Sequence, residues 1–434
     1  MMNRRPGCRG LLRMAFIIGK MRVLPGLVAL CFAVSAALAA PMAELEFSVP
    51  SGATTEVSRF YYQLVQEFEA ANPGIKISFR PLTDWDEVVR VVSAPDRPKA
   101  GVFVAEASET LELEQRRAIT PVEDLLTSEP GGLKDFLAAF IPEFLGNSLC
   151  ADKTFCSPPF IRSTPVVYYN LDQLKDVGID KDHLPTTWDE LESLLSRLRE
   201  HSGKPPFVFG GDWYDYLFEA TVHQAGGSLF DREHNRFAYD TPQAVEALRF
   251  WKGLKDKGLL VRATNWKATL NSFLAGLYPV TFYTSGGIES ARAQSRFAWM
   301  ADMLPRRRAY GATAGGGNLY LTARLDEGER KAALLLLRFL YTPSVQARIS
   351  QASGFFPVVA AAFDEPQLKE RYTTDEPFVR VRRQLGYTGP RGMSTDNLQM
   401  RKALKTAIDR CLDDNVPAET ALRDAQGVVD HLGK

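Results

Sequence analysis

The chain has 434 residues, 52 basic and 52 acidic side chains, and 45% hydrophobic residues. That charge balance excludes the dense positive surface a nucleic-acid binder needs. The length exceeds what one core fills and predicts two domains of about 150 to 200 residues each.

The N-terminal 39 residues carry Arg4, Arg5, Arg9, Arg13, Lys20 and Arg22 with no acid, then the apolar run Leu27 to Val34, then small residues ending Ala37-Leu38-Ala39. Basic, then apolar, then small-x-small is the order of a secretory signal peptide, residues 1–39, with Met21 as a second candidate start. A lipid anchor at Cys31 is disfavoured because Leu30 precedes it, where the attachment pattern wants a small residue. Cleavage takes six of the 52 basic residues and no acid, leaving 46 against 52, about −6. Nothing later in the chain approaches a transmembrane length. Cys150 and Cys156 flank a five-residue loop in a chain bound for an oxidising compartment and are expected to pair; two buried free thiols are the alternative. Cys411 is then the odd one out, a small core residue.

In chain order, Leu45 to Val49 reads as a strand, Ser58 to Ala71 as an amphipathic helix ending at Asn72-Pro73-Gly74, and IKISFR as a second strand. A helix from Trp85 to Ser93, a strand from Gly101 to Ala105 and a helix from Glu109 to Arg117 follow. This alternation predicts a sheet of parallel type. Ser157 to Asn170 is an extended, proline-punctuated run that ends as an apolar strand and suits a crossing between domains. Thr187 is the expected N-cap of a helix opening at Trp188, a packing residue, and Thr241-Pro242 starts a helix through Lys257. Tyr278 to Thr284 and Leu319 to Thr322 read as strands, Gly328 to Tyr341 as a helix, and the end as two helices joined at Asn415-Val416-Pro417.

Catalytic chemistry finds little support. His183, His201, His223, His234 and His431 are scattered and without metal-ligand spacing, so neither a metal nor a cofactor is expected. No nucleophile elbow, P-loop or dinucleotide fingerprint occurs. The glycine cluster Thr313 to Leu321 runs into a strand and lacks the lysine of a nucleotide loop. Acidic pairs such as Glu112 with Glu114 and Asp413 with Asp414 read as solvated helix faces.

Seven segments, EFEAANPGIKI, PFIRSTPVVYYN, LPTTWDELESL, AGGGNLYL, SGFFPV, NLQMRKAL and ETALRDAQ, occur in an order and spacing that span nearly the whole mature chain. In them the chain resembles the extracellular solute-binding proteins of bacterial ABC importers, in the maltose-binding-like group, and most of all the sn-glycerol-3-phosphate-binding proteins. The resemblance implies an α/β, two-lobed periplasmic-binding-protein fold with three crossings between the lobes, near Pro158 to Ser163, Leu304-Pro305 and Gly354 to Pro357. The lobes would be 40–158 with 305–355, and 159–304 with 356–434, closing on ligand about these hinges.

The same resemblance implies a monomeric, non-enzymatic periplasmic protein that hands its ligand to permease subunits in the inner membrane. The ligand would be sn-glycerol 3-phosphate or a glycerophosphodiester. An uncharged mono- or oligosaccharide is the runner-up, and an exported hydrolase the reading from another class. Matching the family's ligand residues position by position, Glu106 would accept from hydroxyl groups, Ser163 and Thr284 would donate, Gly315 and Gly316 would approach a phosphate, and Arg401 would bind it. Trp85 and Phe355 stand where the glycerol-phosphate binders carry tyrosines, so two hydroxyl donors are lost. The residues are chemically coherent in themselves: a phosphate wants guanidinium, backbone amides and hydroxyls, and a polyol wants a carboxylate beside an aromatic face. Each has a plainer reading: Arg401 as a surface arginine, Glu106 as a helix cap near Ser108, and the glycines as a turn. Trp213 and Tyr214, before a helix, are candidate cleft aromatics.

Overall fold

The computed structural model describes residues 43–51, 55–83, 85–92, 94, 101–127 and 132–432. The expected signal peptide and Cys31 lie outside them.

Two five-stranded sheets organise the protein. The first has the order Ile75–Pro81, Ala43–Val49, Gly101–Glu106, Gly317–Thr322, Ile119–Thr120. Its first three strands are parallel, with Phe47 opposite both Phe79 and Val102. The fourth arrives from some two hundred residues later and runs antiparallel, Gly317 facing Glu106. The second sheet has the order Trp299–Asp302, Pro165–Asn170, Val280–Thr284, Phe207–Gly210, Leu260–Ala263, in which Val280–Thr284 is antiparallel to Pro165–Asn170 and parallel to Phe207–Gly210. The expectation of parallel sheets therefore needs correcting: both are mixed, because in each a strand far away in sequence enters with the opposite sense.

Local signals act as expected. Thr187 caps the helix Trp188–Ser202 in a capping box with Glu190, and Trp188 is buried, stacked on Phe250 with its indole N–H donating to Gln224 at 2.8 Å. The helix Glu56–Ala71 buries Tyr61, Leu64, Val65 and Phe68 at helical spacing. The helices Glu327–Leu340 and Pro343–Ser353 pack on the first sheet and on Glu56–Ala71, whereas Asn397–Leu412 and Ala418–Leu432 pack on Pro242–Asp256 near the second sheet. Cys150 and Cys156 form a disulfide with Cα atoms 5.5 Å apart, and Cys411 is buried and free.

Three segments lie side by side between the sheets. Ser163 and Gly315 exchange backbone hydrogen bonds of 3.0 and 2.8 Å, and the Phe356 N–H donates to Arg162 O at 2.7 Å. The middle segment meets its neighbour at Gly315, not near Leu304-Pro305: Leu304 is still held beside the second sheet by Gln384. Arg162 clamps this seam from inside, wholly buried, donating to the carbonyls of Ile161, Phe144 and Gly317 and to Asn318 Oδ1. Four acceptors satisfy a charge that no carboxylate neutralises, and burial lowers its pKa to about 10.

Candidate functional site

A cavity of about 580 Å³ opens between the two sheets. Its walls come from the carboxyl ends of strands and from the side-by-side segments. Pro50 follows Ala43–Val49, Asp212 and Trp213 follow Phe207–Gly210, Asn265 and Trp266 follow Leu260–Ala263, and Thr284 ends Val280–Thr284. Strand ends of open α/β sheets are where such folds leave room for a ligand.

Of the residues singled out from sequence, Trp85, Ser163, Trp213, Thr284, Gly315, Gly316, Phe355 and Arg401 all line this cavity. Glu106 and Tyr214 do not, and each displacement has a physical reason.

Glu106 is buried beneath the cavity, with one carboxylate oxygen accepting from Arg391 and the other from Arg401 Nη1 at 3.0 Å. Both carboxylate oxygens are thus engaged by arginines, and it makes no helix cap either. Tyr214 points into the core against Phe209 and Trp251, its hydroxyl accepting from Arg262. On the helix Tyr214–Gln224, residues two apart lie about 200° around the axis. Turning Tyr214 inward therefore brings Tyr216 to the cavity.

Glu106 belongs to an ion cluster that the sequence did not announce. Arg391 contacts Glu106, Asp215 and Glu219; Arg401 contacts Glu106, Glu109 and Asp215. The carboxylates come from the end of Gly101–Glu106 and the turn after it, and from Tyr214–Gln224, so the two arginines tie the two sides together beneath the cavity. Burial works against ionisation of Asp215, but the charges of Arg401 and Arg391 outweigh it and hold its pKa at about 2. Glu109 goes the other way: burial, then the charge of Glu106, push it up to about 7 against the pull of Arg401. A signal for part of this cluster existed. Asp215 and Glu219 stand four apart on a helix buried almost throughout, and buried acids require cations. Nothing marked Arg391.

The cluster defines what Arg401 can offer. Its Nε and Nη1 are taken by Asp215, Glu106 and Glu109, while Nη2 has no partner among the described residues. It therefore presents one guanidinium edge to the cavity, not a free bidentate fork. The glycines are also constrained. A Cβ on Gly315 would lie 2.7 Å from Tyr216 Oη, and one on Gly316 would strike Ile161 O at 2.3 Å, with φ at +97°. Gly315 N–H donates to Ser163 O, so of this pair only Gly316 has an amide without a protein acceptor among the described residues.

Aromatic rings make another part of the lining. Trp266 stacks on Tyr283 at 4.0 Å, and Trp213 meets Trp266 at 5.6 Å and Tyr216 edge-on at 6.2 Å. Asp212 accepts the Trp266 N–H at 2.6 Å, which fixes the turn carrying that ring. Trp266, Asn265, Asp212, Lys267 and Tyr216 escaped the sequence reading because they sit in loops, or on a helix face, that only the second sheet's packing brings to the cavity. Among the described residues, no group of three or more His, Cys, Asp or Glu is arranged to hold a metal ion, and no helix is long and apolar enough to cross a membrane.

Comparison with known proteins adds three findings. In fold, UgpB of Mycobacterium tuberculosis in complex with glycerophosphocholine superposes with a TM-score of 0.78 at 18% identity, covering 90% of this chain and 99% of that one. The acarbose-binding GacH receptor of Streptomyces glaucescens gives 0.76 at 16% identity, covering 89% and 98%. The architecture is thus the two-lobed one of periplasmic solute-binding proteins, with the chain crossing between lobes three times. In sequence, the sn-glycerol-3-phosphate-binding periplasmic protein of Brucella abortus (strain 2308) is 24% identical over 421 residues, 93% of this chain and 95% of that protein. The family model described as bacterial extracellular solute-binding protein matches residues 63–375.

Proposed function

This chain belongs to the bacterial extracellular solute-binding proteins, and we propose that it is the periplasmic component of an ABC importer whose ligand is a glycerophosphodiester or sn-glycerol 3-phosphate. In this reading the ligand lies between the two lobes, whose middle crossing falls at Gly315 and not at residue 305, and the loaded protein delivers it, chemically unchanged, to permease subunits. The observation that carries the ligand class is the polarity of the cavity. Arg401, Gly316, Ser163 and Thr284 line it together with the rings of Trp213 and Trp266. An anionic group with an adjoining apolar or cationic headgroup suits a lining that holds both kinds of residue.

Two quantities favour the diester over the monoester. A cavity of about 580 Å³ exceeds what a three-carbon phosphate fills. The cluster beneath it sets two arginines against four carboxylates, so a second negative charge on the ligand meets more repulsion than a single one. The neutral-oligosaccharide reading has its own support: the arginine facing the cavity is already shared among three carboxylates, and stacked tryptophans suit sugar faces.

Thermal shifts of the mature protein separate these readings, because a ligand that binds only the folded state raises the melting temperature. The proposal expects a shift with glycerophosphocholine, a smaller one with sn-glycerol 3-phosphate and none with glycerol. A shift with maltose and its longer homologues alone overturns the phosphate reading and keeps the family. Mass spectrometry of ligand after prolonged incubation should return it intact; turnover would overturn delivery without chemistry.

A further inference from the structure

We propose that Tyr216 is a ligand-recognition residue whose phenolic hydroxyl, with those of Ser163 and Thr284, forms a three-donor cradle for the phosphoryl oxygens of the ligand. The inference rests on the ligand class proposed above and goes beyond it in naming a residue and the group it holds.

Tyr216 is 1% exposed, lines the cavity, and its hydroxyl has no hydrogen-bond partner among the described residues. A buried phenol normally finds an acceptor, so an orphan on a residue that lines a cavity points to a contact the protein itself does not supply. The hydroxyls of Ser163 and Thr284 stand beside it, near enough to oppose the effect of burial on its ionisation, yet not in hydrogen-bonding geometry with it. Thr284 Oγ1 accepts weakly from Gly286 N at 3.4 Å, and among the described residues neither it nor Ser163 Oγ donates to a protein group. Three hydroxyls thus converge, none of which donates its hydrogen to a protein group among the described residues. A polyol hydroxyl both donates and accepts, so it has fewer lone pairs free to take three hydrogens than a phosphoryl group has. A phosphoryl group brings acceptors only.

The surroundings hold Tyr216 in that place. The Arg391 guanidinium lies 5.7 Å from the ring centre on the side of the ion cluster, Trp213 abuts it edge-on, and the missing side chain at Gly315 leaves the space the phenol occupies. A hydroxyl donor is thereby present at the cavity even though Trp85 and Phe355 carry none.

The test is titration calorimetry of glycerophosphocholine into the mature wild-type protein and Tyr216→Phe, with melting curves of both without ligand. Phenylalanine keeps the ring and its packing, so the unliganded melting temperature should stay within about 2 °C. Affinity should fall roughly tenfold or more, as for one lost hydrogen bond to a charged acceptor. Equal affinity in the two proteins overturns the role of Tyr216 and leaves the ligand class standing. No binding by the wild type at millimolar ligand overturns the ligand class and this inference with it. If the variant melts lower, each protein's own ligand-induced shift is compared, and an undiminished shift in the variant again overturns the role.

Discussion

The floor of the cavity and its hydroxyl-lined end are both polar and both largely buried, yet they differ in one respect that decides their use. In the floor, Glu106, Asp215, Glu219 and Arg391 hold one another, and Arg401 is tied to them through Nε and Nη1. At the hydroxyl end, Tyr216 Oη is left without a partner among the described residues. Saturated polar groups hold parts together, whereas unsaturated ones beside a cavity wait for a ligand. The sequence reading placed Glu106 among the ligand contacts and overlooked Tyr216. Chemistry alone recommended the carboxylate, but both of its oxygens accept from arginines and it lies outside the cavity's lining.

The sharpest way to break this contrast is at Arg391. Arg391→Met leaves Arg401 as the one cation of the floor against four carboxylates, and unfolding by denaturant should show a loss of about 3–5 kcal/mol. A loss below about 1 kcal/mol would mean that the cluster does not hold the lobes' floor together. Next is pH. Glu109 keeps its proton in the folded protein up to about 7, whereas in the unfolded chain it loses it in the ordinary carboxylate range. Folding therefore takes up a proton between roughly pH 4.3 and 7, and stability falls by up to a few kcal/mol as pH rises through that window, then levels off. Glu109→Gln should flatten the melting temperature between pH 5 and 8. Asp215 has the opposite sign, and its contribution is lost as pH falls from about 4 toward 2.

Smaller effects belong to the recognition side. Trp213 is half-buried, so Trp213→Ala should reduce glycerophosphocholine affinity by about 2 kcal/mol and folding stability by less, the reverse of Arg391→Met. Ser163→Ala should cost about 1 kcal/mol in binding by calorimetry and leave the melting temperature nearly unchanged. Should Ser163→Ala instead destabilise the unliganded protein without affecting affinity, its hydroxyl would belong to the scaffold.

Much of this protein was legible before any fold was drawn. Thr187 with Glu190, Thr241-Pro242 and Asn72-Pro73-Gly74 mark helix ends because capping is settled by a few adjacent residues. Leu45, Phe47 and Val49 declare their strand through its two-residue period. The order of local motifs sufficed for the family, and position by position it brought Ser163, Thr284, Gly315, Gly316, Phe355 and Arg401 to one cavity. Tertiary structure alone decided what depends on contacts across hundreds of residues. It inserted Gly317–Thr322 antiparallel beside Gly101–Glu106, and it turned Tyr216 rather than Tyr214 to the cavity. It also set Arg391 against Glu106, 285 residues away in sequence. Sequence period and capping report a residue's neighbours along the chain. Whether a carboxylate or a phenol is free for a ligand depends on which partners packing supplies, and those partners lie elsewhere in the sequence.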